Sequence, residues 1–112
     1  MGETGADIIA QKPGSSIAVE CIGFQNNPPS RSKVFYEAFF RAISRLHGEI
    51  NEVVIALPLR FKDGLPQRAK QHGDGWDKIG KTFPELKFWL VDVKRKEIAE
   101  KQPWGYWKGC TD

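Results

Sequence analysis

Asp7 and Glu20 are the charged residues embedded in two short apolar runs near the start of the chain, residues 6–10 and 16–22. Lys12-Pro13-Gly14-Ser15 between them is strong turn chemistry, so the two runs read as strands of an antiparallel hairpin. Residues equidistant from the turn pair across such a hairpin, which makes Asp7 and Glu20 near-neighbours. An ionised carboxylate in an apolar strand is costly unless a cation or hydrogen bonds compensate it. Two adjacent carboxylates suit a hard divalent ion such as Mg2+, with water in its remaining positions. An ion held there activates water and stabilises the charge that builds up in phosphodiester hydrolysis. The same residues also admit a structural reading, in which Asp7 caps a strand end and Glu20 faces solvent or an arginine.

The rest of the chain supplies the scaffold around this pair. Gly23 to Ser30 is a loop by composition, Pro28-Pro29 argues against regular structure there, and Ser30 or Ser32 can cap the helix after it. Val34, Phe35, Ala38, Phe39, Ala42, Ile43 and Leu46 recur at helical spacing and form one broad apolar face, ended by His47-Gly48. Glu37 and Arg41 can pair across one turn of that helix. Val53 to Leu57 is a continuous apolar run, as expected of a central strand covered on both faces, and Pro58 closes it. Residues 60–82 are polar, with short helices expected around 67–71 and 76–81. Leu86 to Val93 is the last strong strand, and Ile98 starts a short return. The expected fold is α/β: a mixed central sheet that begins with an antiparallel hairpin and is crossed by one long helix.

Gly5-Ala6-Asp7-Ile8-Ile9-Ala10, a short turn and Ile17-Ala18-Val19-Glu20 together resemble the core signature of the PD-(D/E)xK, restriction-endonuclease-like nuclease superfamily. The likeness continues through the helix at Phe35 to Leu46 and the strands at Val53 to Pro58 and Phe88 to Asp92, roughly residues 5–98 in element order. It implies a metal-dependent nuclease site, with Asp7 and Glu20 holding Mg2+ if the site is active. The family places a lysine two positions after the second acid, where this chain has Ile22. Lys33, Lys12 or Arg41 is the candidate replacement; Arg41 also stands where related families carry a glutamine. An arginine supplies charge but is a poor general base, because it stays protonated. The family's usual N-terminal helix and strand have no counterpart in the six residues before Asp7, and a second copy covering the exposed edge makes a homodimer the expectation.

Composition bounds the other possibilities. At 112 residues, 40% hydrophobic and 28% charged, the chain fits one folded domain, residues 1–112, with 99–112 an aromatic C-terminal tail. The net charge of +3 permits an anionic partner without demanding one. Arg31, Lys33, Arg41 and Arg45 cluster around the helix, and Arg60, Lys62, Arg68 and Lys70 form a second basic group; both are candidate contacts to a DNA backbone. Trp104, Tyr106 and Trp107 either stack on bases or pack across the chain's own sheet or a partner subunit. Gly73-Asp74-Gly75 is too short for a phosphate loop, so no nucleotide cofactor is expected. Cys21 and Cys110 are expected to stay reduced, and His47 and His72 have no ligand partners at metal spacing. No apolar run approaches the ~20 residues of a membrane helix, and the start of the chain lacks signal-peptide features, so a cytoplasmic protein without membrane contact is expected. The leading functional expectation is a nucleic-acid-associated or interaction module with an incomplete nuclease site. The alternatives are an active Mg2+-dependent endonuclease, with Lys33 or Arg41 orienting water or substrate, and a structural or regulatory domain.

Overall fold

The structure, a computed structural model, describes residues 8–12, 15–46 and 50–109. Its described strands form one mixed sheet in the order β1 (Ile8–Lys12), β2 (Ser15–Cys21), β3 (Glu52–Pro58), β4 (Leu86–Asp92) and β5 (Glu97–Pro103). The pair β1–β2 is antiparallel, with Ile8 opposite Val19; β2–β3 and β3–β4 are parallel; β4–β5 is antiparallel again. The hairpin start, the mixed sheet and the long helix agree with the α/β expectation. Asp7 and the turn at Pro13-Gly14 lie outside the described residues.

Helix α1 (Pro28–Ser44) carries the chain from β2 to β3, while α2 (Leu65–His72) and α3 (Asp74–Thr82) carry it from β3 to β4. Both short helices fall where the sequence places them. α1 begins earlier than expected, because Asn27 caps it by accepting the Ser30 N–H at 3.1 Å. Pro28-Pro29 therefore opens the helix instead of excluding it: a first-turn residue needs no intrahelical donor, and proline's fixed φ suits that position. Gly73, with φ of 54°, sits between α2 and α3 and takes the backbone conformation that lets the chain turn there.

One core fills the space between the sheet and the helices. Ala18, Ile55, Leu57, Phe88 and Leu90 from the sheet meet Phe35, Ala38 and Ala42 of α1, and Leu65, Ala69 and Trp76 of α2 and α3. All five residues from Val53 to Leu57 are buried, as a strand covered on both faces requires. On the opposite face Val19, Val54 and Ala56 form a smaller cluster with Ile17, Cys21, Trp89 and Val91. None of the helices among the described residues is long and apolar enough to cross a membrane.

The end of the chain differs most from an appended tail. Residues 97–103 are strand β5, and Trp104–Gly109 is a 3-10 segment whose Trp104 and Trp107 lie in the core. In a 3-10 helix residues i and i+3 eclipse one another, so both tryptophans point inward while Tyr106, 42% exposed, points out. The two buried rings are therefore not surfaces for stacking bases.

Candidate nucleic-acid interface

Glu20 sits on the helix-facing side of β2, two residues beyond Ala18. It is wholly buried, and Arg45 Nε, from the residue that ends α1, donates to its Oε2 at 2.8 Å. Of the two sequence readings for Glu20, the structure has the carboxylate meeting an arginine. The guanidinium supplies the compensating charge that a hard cation would otherwise bring, and it closes the end of α1 onto the sheet. Ile22 is half-buried against the core, with its backbone N–H donating to the Ala56 carbonyl at 3.1 Å. Among the described residues no group of three or more His, Cys, Asp or Glu is placed to hold a metal. Asp7, the other carboxylate of the expected pair, lies outside the described residues.

The remaining sequence candidates separate into two groups. Lys33 is exposed on α1, and Arg41 lies 3.8 Å from Glu37 one turn away, a surface pair of small energetic weight. Arg45 is engaged with Glu20. Lys62 reaches β5, with its Nζ 2.9 Å from Glu100 Oε1. Gln102 Nε2 donates to the other Glu100 oxygen at 2.9 Å, and the bonds from Lys62 and Gln102 lower the Glu100 pKa below its ordinary value. A carboxyl with a lowered pKa contributes stability that is present above its unfolded value and lost as pH falls through the folded one. The melting-temperature advantage of wild type over Lys62→Gln is thus expected to be small, steady at neutral pH and to shrink below about pH 4, where carboxylates titrate. An advantage that grows on acidification would count against this pairing.

Arg31 and Arg60 are brought together. Because β2 and β3 run parallel side by side, the segments leaving their C-terminal ends emerge at the same end of the sheet. The loop after β2 carries Phe24, and the 3-10 segment after β3, Leu59–Gly64, carries Arg60 and Phe61. The guanidinium carbons of Arg31 and Arg60 lie 4.2 and 4.0 Å from the centre of the Phe24 ring, and Phe61 meets Phe24 edge-on at 5.2 Å. Arg31 also donates from Nε to the Gln25 carbonyl at 2.8 Å and from Nη2 to the Asn26 carbonyl at 3.0 Å. Arg68, from α2, donates to Ser32 Oγ at 3.2 Å and lies over Phe35.

These three arginines line one hollow of about 330 Å³, together with Phe24, Phe61, Asp63 and Gly64. None of the three makes an ion pair with a carboxylate among the described residues. A second hollow of about 550 Å³ adjoins it, sharing Arg60 and Asp63 and reaching Lys62 and Lys94. Cationic side chains held by aromatic faces and backbone carbonyls, outnumbering the one carboxylate on the hollow, suit an anion. Phe24 is the residue that sequence reasoning passed over; the signal was one aromatic side chain within a polar loop beside two basic segments. His72, unmatched to any metal, instead shares a 2.8 Å hydrogen bond with the Tyr36 hydroxyl. Compared with known proteins, the chain matches no family model, no curated protein and no solved structure.

Proposed function

We propose that the protein is a nucleic-acid-binding module of nuclease-like descent whose own nuclease site is incomplete, and that it grips phosphate groups at the C-terminal ends of β2 and β3. The observation that carries this reading is the set of three guanidiniums, Arg31, Arg60 and Arg68, on one hollow without carboxylate partners. Support for the missing chemistry comes from Glu20, bonded to Arg45, and from Ile22 in place of a lysine. Arginine suits the task because its fixed fork of donors matches phosphate oxygens and its charge does not titrate away.

Binding of a labelled DNA duplex and of a single strand, measured across salt concentration, tests it. Affinity is expected to fall steeply with salt, because each neutralised phosphate releases a counterion. Arg60→Gln is expected to weaken binding about tenfold at low salt and to lower the salt slope by about one. Lys62→Gln should cost less, since Lys62 is already engaged with Glu100. Absence of binding at low salt, or a slope indifferent to Arg60, would refute the reading.

A further inference from the structure

We propose that the hollow reads a strand end, taking the terminal phosphate monoester of a nucleic-acid strand in preference to the phosphodiesters within it. This rests on the nucleic-acid reading above and sharpens it to a substrate feature.

The placement of the cations carries the argument. Arg31 comes from α1, Arg60 from the segment after β3 and Arg68 from α2, so three elements aim at one concavity and do not form a line along a surface. A strand interior presents a row of singly charged phosphates, each with two free oxygens. A terminal monoester concentrates between one and a half and two charges (roughly, near neutral pH) and three acceptor oxygens on one phosphorus. The charged groups on the hollow are the three arginines and Asp63, which leaves an excess of two positive charges at one point. That excess matches the monoester better than a single diester.

The donors are also held ready. Arg31 is fixed by two backbone carbonyls and by Phe24, Arg60 by the same ring, and Arg68 by Ser32. Groups already ordered lose less freedom when the ligand arrives. A volume of about 330 Å³ lies near the lower end of small-ligand sites, room for a chain end and not for a stretch of duplex.

The test compares single strands of one sequence carrying a 5′-phosphate, a 3′-phosphate or hydroxyls at both ends, by fluorescence anisotropy at fixed salt. One phosphorylated end is expected to raise affinity about tenfold or more over the hydroxyl-ended strand, the scale of one or two charge-assisted hydrogen bonds. Inorganic phosphate should compete away that gain. Arg60→Gln should bring the phosphorylated strand down to the hydroxyl-ended one, Arg60→Lys should retain part of the preference, and Lys78→Gln on α3 should leave it intact. Equal affinity for all three strands overturns the strand-end inference while leaving the nucleic-acid reading standing. Failure of every strand to bind at low salt overturns both.

Discussion

Ending the chain at Pro103 is expected to abolish cooperative unfolding. The residues removed include Trp104 and Trp107, which are 3% and 1% exposed. Trp104 and Trp76 are tied reciprocally: each indole N–H donates to the other residue's backbone carbonyl at 2.9 Å, and the rings stack at 4.0 Å. Trp104 further stacks on Phe88 of β4 at 5.3 Å, and Trp107 meets Phe88 edge-on at 6.4 Å. Lys108 reaches Asp77 on α3 at 2.7 Å, a bond that raises the lysine's pKa. Loss of one buried tryptophan costs about 3–5 kcal/mol, and a buried indole N–H left without its acceptor costs about 1–3 more. Two such losses reach the ~5–15 kcal/mol that holds a domain of this kind together. Circular dichroism during thermal and urea unfolding decides the matter. A truncated chain that melts cooperatively within a few degrees of wild type would show the segment to be dispensable. The milder Trp104→Phe, which keeps a ring and loses the N–H, should lower stability by about 1–3 kcal/mol.

The same segment marks where the sequence stops being readable. The apolar face of α1 and the apolar runs of β3 and β4 are strong patterns, because burial on one face or two selects the residue types. β5 leaves only a faint one, enough for the short return expected from Ile98 and not for its full length: Glu97, Glu100 and Lys101 lie on an edge strand, where charge guards the sheet against further pairing. The three-residue period of Trp104 and Trp107 is too short to register as a repeat. At the candidate site the basic residues were visible as charge, but their partners were not. Arg45 belongs to Glu20 and Lys62 to Glu100, whereas Arg31, Arg60 and Arg68 share a hollow. Those assignments depend on β2 and β3 being parallel neighbours, a property of the assembled sheet that no local segment records.

Glu20 is where motif and structure diverge in meaning, and Arg45→Met is expected to expose the difference. The substitution keeps most of the side chain's apolar bulk and removes the charge facing a carboxylate with no solvent access. Breaking a buried pair from one side typically costs about 3–5 kcal/mol. The Arg45 side chain is 33% exposed, and screening by water takes the expectation to the lower end, about 2–3 kcal/mol. For a chain of this length that is a fall in melting temperature of roughly 10–20 °C. Adding Glu20→Gln to Arg45→Met should recover part of the loss, since a neutral amide is cheaper to bury than a carboxylate that has lost its arginine. The metal-site reading makes the opposite demand. A ligand that binds only the folded chain raises the melting temperature in proportion to the logarithm of its concentration over its Kd. Because the guanidinium already occupies the carboxylate's Oε2, millimolar Mg2+ is expected to leave wild type unmoved. A rise with Mg2+ that disappears in Glu20→Gln would show that Arg45 gives way to the ion, and would return the carboxylate to the hydrolytic role its motif suggests.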